Sequence, residues 1–311
     1  MLISCGDALI DFVPTRSGDG REAAMPAVGG SCLNVAIGMA RLGAPTGFVG
    51  GISTDMFGRM IADHAASSNV ELGLATRSDH QTTLAFVRIV AGESHYAFYD
   101  AETATRSWTY RRGTIAFDTV EALHVGSTTL VNDRGAAETK ALIADAQASS
   151  TISFDPNCRP NLVRDKPAYL ERMAEFARHA DLIKMSDVDF AYLYGEEHWQ
   201  QRASTLLEQG TSLVVITRGN NGAIAWHAEA GQIEVAAPQV EIADTIGAGD
   251  SFQAALLFAL HKQRRLVREQ LKHISTAELR RALFFAANCA GLTCTRPGAD
   301  PPWSHEITWN W

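Results

Sequence analysis

The sequence predicts an α/β fold with a doubly wound, mainly parallel sheet, and three observations lead to that class. From residue 122 onward, short apolar runs typical of buried strands alternate with longer stretches of helical periodicity. The glycine-rich segment 244–250 is typical of a strand-to-helix turn, because a long apolar helix pattern follows it. Two β-rich stretches, about 12–28 and 80–110, do not fit the alternation. We therefore expect one α/β domain over residues 1–311, with a small discontinuous β lid inserted in it.

Composition and charge narrow the class of protein. The chain has 311 residues, of which 46% are hydrophobic, and a formal net charge of −8. This supports a sizeable core, while the negative charge disfavours a nucleic-acid surface. No stretch approaches the roughly 18 uncharged apolar residues of a membrane span, and the N-terminus resembles a strand rather than a signal peptide. We expect a soluble cytoplasmic protein whose partners are small molecules, with no nucleic-acid or membrane partner.

Two further patterns limit the chemistry. The 5 cysteines are scattered, and no CxxC pair suggests zinc or a redox centre, so we expect reduced and mostly buried thiols. The GxxxxGK[ST] pattern of a Walker loop does not occur in the sequence. Any nucleotide would therefore be held by another glycine-rich segment.

Two acids follow the first predicted strand. The strand covers residues 2–5, and Asp7 and Asp11 come shortly after it. Open α/β sheets bind ligands beyond the carboxyl ends of their strands. Carboxylates at this place therefore suit ligand binding, although ordinary turns also use them.

A glycine pair opens the first helix. After the hairpin at 12–28, Gly29 and Gly30 precede an amphipathic helix in which Asn34 lies off the apolar face. An amide beside a glycine pair suits the binding of sugar hydroxyls. The same arrangement also occurs in ordinary N-terminal helix turns.

The remaining elements are predicted from periodicity. A turn at Gly92 joins the two lid strands, and the tail tryptophans Trp303, Trp309 and Trp311 are expected to be packing anchors. Strands are predicted at 47–50, 82–90, 94–99, 122–125, 151–154, 182–185, 213–217 and 223–226, and helices at 56–67, 134–148, 168–179, 199–209 and 277–289.

Polar loops follow three of the later strands, at 155–159, 186–189 and 217–222. Loops at the carboxyl ends of parallel strands carry ligands in this architecture. They are also where any α/β protein places its polar turns, so each loop alone leaves both interpretations open.

The turn at 244–250 carries the strongest chemical signal. Gly247 and Gly249 allow a sharp turn that exposes backbone N–H groups, and a helix N-terminus favours phosphate. Asp250, in the first turn, would point a carboxylate at a hydroxyl attacking a bound phosphoryl group. A tight turn with a helix-capping aspartate explains the same letters, so the rest of the chain must decide.

Two motifs make the chain similar to the PfkB, or ribokinase-like, family of carbohydrate kinases. The stretch from Asp244 to Leu257 fits the C-terminal signature of that family, and the pattern from Gly29 through Asn34 to Gly58 fits its N-terminal signature. Ser53 stands where the family commonly has glycine, and Ser186-x-x-Asp189 stands where many members have Asn-x-x-Glu. The resemblance covers nearly the whole chain and implies a ribokinase-like sugar kinase.

The resemblance implies roles for the matching residues. It makes Asp250 the catalytic base and places the N–H groups of Gly247, Ala248 and Gly249 around the phosphate as an anion hole. The implied substrate-binding residues are Asp7, Asp11, Gly29, Gly30, Asn34, Phe98 and Arg159, and the implied ATP-binding residues are Thr217, Gly219 and Gly222.

The resemblance also implies cofactors. ATP is the co-substrate, and Ser186 and Asp189 would hold Mg²⁺ through water, since both keep oxygen ligands. In ribokinase-like relatives a monovalent cation such as K⁺ is held near the positions of Asp244, Ile246 and Gly298.

The sugar is inferred from the segments 6–12, 96–99 and 155–160, which look most like bacterial fructokinases. Kinases of 2-keto-3-deoxygluconate are neighbours of that group, and Arg159 could bind a substrate carboxylate or orient neutral hydroxyls. Ribokinase or nucleoside kinase activity is another alternative. A catalytically silent sugar- or nucleotide-binding regulator is a further one, although the intact Asp250 argues against it. Because the lid exposes sheet edges, we also expect a homodimer formed through the lid.

Overall fold

The computed structural model describes residues 1–90 and 93–308, and its centre is a large, mainly parallel sheet. The strands are β1 Leu2–Cys5, β2 Leu9–Arg16, β3 Glu22–Gly29, β4 Thr46–Val49, β5 Gly51–Ser53, β6 Val70–Glu71, β7 Thr76–Ser78, β8 Thr83–Val90, β9 Glu93–Tyr99, β10 Ala122–Gly126, β11 Thr151–Asp155, β12 Leu182–Ser186, β13 Leu213–Thr217, β14 Ala223–His227 and β15 Gly231–Val235. The helices are α1 Ser31–Arg41, α2 Met56–Ser67, α3 Ala104–Ser107, α4 Asp133–Ala146, α5 Lys166–His179, α6 Asp187–Tyr194, α7 Trp199–Glu208, α8 Ala248–Lys262, α9 Arg268–Lys272 and α10 Thr276–Cys294.

The central sheet has the order β15-β14-β13-β12-β11-β10-β1-β4-β6. Its strands are parallel from β13 to β6, whereas β14 and β15 form an antiparallel edge. One face packs against α1, α8 and α10, and the other against α4, α5 and α7. Because both faces are covered, the central parallel strands β1, β4, β10 and β11 are buried at every position rather than at alternate positions. The predicted doubly wound α/β class is confirmed.

The parallel order brings the carboxyl ends of several strands to one edge. Cys5 of β1, Gly126 of β10, Asp155 of β11, Ser186 of β12 and Thr217 of β13 end their strands there. The polar loops that the sequence singled out therefore meet at one place, as expected for this architecture.

The β-rich stretches outside the alternation form a second sheet of order β3-β2-β8-β9. This sheet begins at Leu9, so that Asp11 belongs to it, and it ends at Tyr99. Residues 104–110 lie elsewhere: Trp108 is buried in the main core, where it is 1% exposed. The second sheet is thus smaller than the stretch 80–110 predicted for the lid.

The loop predicted at 186–189 is mostly helical in the structure. Ser186 is the N-cap of α6, and its side chain and that of Asp189 form a reciprocal capping box. The Ser-x-x-Asp spacing is itself a helix-start signal. The prediction of a free polar loop here was wrong, because the strand passes directly into a helix.

Other features of the sequence have simple outcomes. Four cysteines are buried and Cys294 is half-buried, all as free thiols. Trp303 packs beneath the Arg41 guanidinium, 5.0 Å from the ring centroid. The predicted turn at Gly92 and the tail residues Trp309 and Trp311 lie outside the described residues. Over the described ranges, every helix is too short or too polar to cross a bilayer.

Candidate active site

The N-terminus of α8 forms the predicted cradle, and its residues have different roles: one fixes the turn, and others leave backbone N–H groups free. Gly247 has φ +76°, and a Cβ there would lie 2.6 Å from Ala299 Cβ, so this position requires glycine. The first bond of the helix runs from the Ser251 N–H to the Gly247 carbonyl at 2.8 Å. Ala248 N–H is already bonded to the Thr245 carbonyl at 3.3 Å. The N–H groups of Gly249 and Asp250 precede the first helical bond and suit an anion.

The carboxylate of Asp250 is held by two side chains from α1. Ser31 Oγ donates to Oδ1 at 2.7 Å, and Asn34 Nδ2 donates to Oδ2 at 2.9 Å. Asp250 is 7% exposed. Asn34 was predicted to bind sugar; the structure adds that it positions the carboxylate. Its own Oδ1 is buried and has no partner among the described residues, so it remains able to accept from a ligand hydroxyl.

The environment of Asp250 balances two influences on its pKa. Burial is the largest and raises the pKa, while the hydrogen bonds from Asn34 and Ser31 and the positive charge of Lys184 lower it; the net direction is upward. A carboxylate with a raised pKa is a better proton acceptor, as a general base requires.

Asp7 has a structural part in the site. Its Oδ1 accepts from the Cys32 N–H at 3.0 Å, and its Oδ2 accepts from Ser127 Oγ and Thr128 Oγ1 at 2.8 and 3.1 Å. Gly30 is required here, since a Cβ would lie 2.5 Å from the Asp7 carbonyl oxygen. Asp7 therefore ties β1 to α1 and to the turn after β10, although it still borders the cavity described below.

Asp11 and Gly29 lie side by side on neighbouring strands of the second sheet. A Cβ on Gly29 would lie 2.1 Å from Asp11 Oδ2, so glycine makes room for this carboxylate rather than for a ligand. Burial raises the pKa of Asp11 to about 7, with the charges of Asp7 and Asp250 acting in the same direction and that of Arg159 opposing them. Asp11 therefore titrates near neutral pH.

Arg159 faces the carboxylates of the site. Burial lowers its pKa, but the negative charges of Asp250, Asp189 and Asp7 outweigh that effect and raise it. Its Nη1 donates to the carbonyls of Asn157 and Cys158, and its guanidinium lies 6.0 Å from the ring centroid of Tyr96.

One cavity of about 280 Å³ collects most of the predicted substrate residues. Gly29, which was predicted to bind the substrate, is not part of its lining and lies against the Asp11 carboxylate instead. The wall of the cavity includes Asp7, Asp11, Gly30, Asn34, Phe98, Arg159, Gly247, Gly249 and Asp250.

A second cavity of about 260 Å³ holds the predicted nucleotide loop. Thr217, Gly219 and Gly222 line it. Gly222 has φ +76°, and a Cβ there would lie 2.0 Å from the Val235 carbonyl oxygen. The two cavities share Thr245 and Gly249, so they meet at the first turn of α8. The cavity of the predicted nucleotide loop and the cavity of the predicted substrate residues therefore lie on either side of the cradle.

The apolar wall of the second cavity was missed by sequence reasoning. It is contributed by the loop before α8 and by α10, through Pro238, Val240, Ile242, Ala287 and Ala290. Val240 and Ile242 are 37% and 48% exposed. The available signal in the sequence was two branched apolar residues, Val240 and Ile242, at alternate positions before a glycine-rich turn, because apolar pockets suit a planar base.

The predicted magnesium residues fit only indirect contact. Asp189 Oδ1 accepts from Cys158 N–H, and its Oδ2 accepts from the backbone and hydroxyl of Ser186. About one of the roughly four acceptor sites of a carboxylate is left. These residues can therefore hold a metal-bound water, whereas direct coordination would break the cap of α6.

The predicted monovalent-cation residues are brought together. Asp244 Oδ1 accepts from Ile246 N–H at 3.0 Å, and its Oδ2 accepts from Gly298 N–H at 2.8 Å. Asp244 thereby clamps the cradle loop to the loop after α10. The monovalent-cation site at these residues stays a prediction.

Known proteins share this fold and motif pattern over the whole length. The family described as "pfkB family carbohydrate kinase" matches residues 1–306. The chain belongs to the pfkB family of carbohydrate kinases. This confirms the resemblance on which the predicted roles rested and assigns the chain to phosphotransferases acting on a sugar hydroxyl.

The relatives of this pfkB family member include named fructokinases. A fructokinase of Rhizobium leguminosarum bv. trifolii is 35% identical, over 90% of this chain and 86% of the relative. A crystal structure of a Xylella fastidiosa fructokinase with bound ATP superposes with a TM-score of 0.86 at 26% identity, covering 96% of this chain and 93% of that one. A Vibrio cholerae O395 fructokinase double mutant, solved with fructose, ADP and potassium ion, has a TM-score of 0.82 at 26% identity over 96% and 93% of the two chains.

Proposed function

We propose that this pfkB kinase transfers the γ-phosphate of Mg·ATP to a primary hydroxyl of fructose. One observation carries the proposal: the two cavities meet at Gly249, next to the buried carboxylate of Asp250. Phosphoryl transfer needs a donor and an acceptor in line across an anion site, and this geometry provides both spaces.

Each residue at the junction of the two cavities would have its own role. Asn34 and Ser31 hold the Asp250 carboxylate in one orientation, so that it can accept the proton of the sugar hydroxyl. The N–H groups of Gly249 and Asp250 bind the oxygens of the transferred group. Because the transition state is loose, the proton leaves late and a carboxylate is a sufficient base.

Magnesium would supply charge neutralisation on the ATP phosphates when bound. Asp189 can contribute one water-mediated contact to it while capping α6. The apolar wall of Val240, Ile242 and Ala290 would hold the base of the nucleotide. A K⁺ ion beside Asp244 would stabilise the loop that forms the cradle.

Fructose is favoured over an acidic sugar by the charges in the sugar cavity. Asp7 and Asp250 supply two carboxylates and Asp11 a third that is partly ionised near neutral pH, whereas Arg159 supplies one cation. A further carboxylate on the substrate would enter a field that is already negative, which disfavours 2-keto-3-deoxygluconate. The resemblance to the Rhizobium and Vibrio fructokinases supports the same sugar.

The second sheet would serve as a lid and as the contact of a homodimer. Phe12, Phe86 and Tyr99 form a row of ring contacts across it, and Phe57 of α2 extends the row from Phe12. Phe86 and Tyr99 are 40% and 64% exposed. Two exposed aromatic rings at the end of this row suit contact with a second copy of this chain.

The test is ADP release from Mg·ATP in the presence of fructose, ribose, 2-keto-3-deoxygluconate, a nucleoside or no acceptor. Fructose is expected to give the highest kcat/KM. A tenfold advantage for 2-keto-3-deoxygluconate would contradict the substrate but not the kinase activity. ATP binding without any acceptor-dependent turnover would instead support a silent regulator.

A further inference from the structure

A buried ion pair lies beneath the first turn of α8 and has no part in the mechanism above. The ammonium of Lys184 on β12 donates to Oδ2 of Asp155 on β11 at 2.8 Å, and the side chains are 2% and 1% exposed. Taking two charges out of water is costly, and apolar residues often stabilise a core equally well. Stability alone therefore does not account for the pair.

Lys184 approaches the cradle at Gly249. A Cβ added to Gly249 would lie 3.1 Å from Lys184 Nζ, so the ammonium packs against this glycine of the first turn. Among the described residues, Asp155 is the only hydrogen-bond partner of that ammonium. Two of its three N–H donors remain available toward the cradle.

The positive end of the pair is the one that faces α8. At Asp250, burial is the largest influence on the pKa, and the hydrogen bonds from Asn34 and Ser31 come next. The charge of Lys184 follows, and its effect on the pKa exceeds the opposing effect of Asp155. The two charges of the pair therefore do not cancel at Asp250, and the site experiences a net positive influence from Lys184.

We propose that Lys184 is a positioning residue for phosphoryl transfer. Its ammonium, held by Asp155, supports the Gly249 end of the cradle, and its charge offsets the charge of the transferred group. The inference rests on the proposed kinase function. A fixed charge in a water-excluded site stabilises developing charge without reorganisation at the moment of reaction. The overall field of this chain cannot supply such a positive charge, because the net charge is −8.

The experiment separates charge from structure with two variants. Lys184→Met leaves the Asp155 carboxylate buried without its counter-ion, with only the hydrogen bond from the Asn157 N–H remaining, so both thermal stability and kcat should fall. The double variant Asp155→Asn with Lys184→Gln replaces the ion pair by a neutral amide pair. The double variant should recover most of the thermal stability that Lys184→Met loses. Its kcat should stay at least about tenfold below wild type, while KM for ATP changes by less than about threefold.

Recovery of both stability and kcat to within about twofold of wild type in the double variant would overturn the proposal, since the pair would then be structural only. The kcat values are expressed per nucleotide site counted by calorimetry, so a partly folded preparation still reports on its folded fraction.

The assay uses the acceptor that wild type turns over fastest, so a failure of fructose as substrate leaves this test standing. If no sugar is accepted, the slow hydrolysis of ATP by water is compared instead. A wild-type enzyme without either reaction would overturn the proposed function and this role with it.

Discussion

Nδ2 of Asn34 donates a hydrogen bond to Oδ2 of Asp250 at 2.9 Å, joining the start of α1 to the start of α8 across 216 positions of sequence. The two signature motifs thus meet in one contact. The N-terminal motif orients the carboxylate that the C-terminal motif carries, and neither half of the site is complete without the other.

Asn34→Ala should lower kcat by about tenfold to a hundredfold, because a hydrogen bond to a charged group contributes about 1.5–3 kcal/mol. It should also move the acid limb of the kcat profile to higher pH, since the bond from Asn34 lowers the pKa of Asp250 and its loss removes that influence. Ser31→Ala is the matched control and should shift the limb in the same direction. The pH profile decides: a reduced kcat with an unmoved limb would mean that Asn34 acts on the sugar alone.

Asp11→Asn should change how stability depends on pH. Burial raises the folded-state pKa of Asp11 to about 7, well above its usual value near 3.9. Between these values the folded protein binds more protons at this site than the unfolded chain, so wild type loses stability as pH rises from about 4 to about 7. The variant lacks this loss. Its melting temperature relative to wild type should therefore increase over that range and level off above it, and a constant difference from pH 4 to pH 8 would contradict the shift.

Arg159→Ala should raise KM for fructose by about tenfold with a smaller effect on kcat, because neutral hydroxyls lose one or two hydrogen bonds. It should also raise the pKa of Asp11, which the Arg159 charge lowers. Lys in place of Arg159 is the control, since it keeps the charge but not the planar fork. If wild type prefers 2-keto-3-deoxygluconate and the alanine variant loses that preference, Arg159 binds a substrate carboxylate and the assignment to fructose is wrong.

Phe86→Asp should dissociate the proposed dimer. Phe86 is 40% exposed at the centre of the aromatic row, so a carboxylate there would be buried without a partner in the dimer. Phe284→Asp is the control, because Phe284 is 62% exposed on α10, outside the second sheet. Light scattering at micromolar concentration gives the answer. A monomeric wild type with full activity would rule the dimer out.

The sequence predicts those parts of the site that depend on local backbone geometry. Gly247, with φ +76°, marks a turn that few other residues allow, and buried parallel strands are recognisable as apolar runs. Gly249 was expected to serve the same turn, but it lies inside α8 without a positive φ, and a side chain there would instead meet Lys184. The ion pair of Lys184 and Asp155 could not be predicted in this way. Lysine is rarely buried, and the partner lies 29 positions away, on a strand whose neighbour is known only from the fold.

Glycine also illustrates where pattern and cause differ. The sequence suggests that Gly29 and Gly30 admit a ligand, whereas the structure shows that Gly29 admits the Asp11 carboxylate and Gly30 the Asp7 backbone. Both explanations predict glycine at these two positions, because each needs a residue without a side chain. Only the tertiary contacts separate them.

Asp250→Asn should remove most of the turnover while ATP and sugar binding stay nearly intact. Gly247, not Asp250, is the N-cap of α8, and the side chain of Asp250 accepts only from Ser31 and Asn34 among the described residues. Asparagine keeps the size and one acceptor, so the fold should be little affected, but it cannot take the hydroxyl proton. Loss of a general base typically costs about 10²–10⁴ in rate. Acceptor-dependent ADP release measures kcat, and calorimetry measures nucleotide affinity. A variant that keeps more than about a tenth of wild-type kcat has lost only ~1.4 kcal/mol, too little for a base, and Asp11 would then be the next candidate.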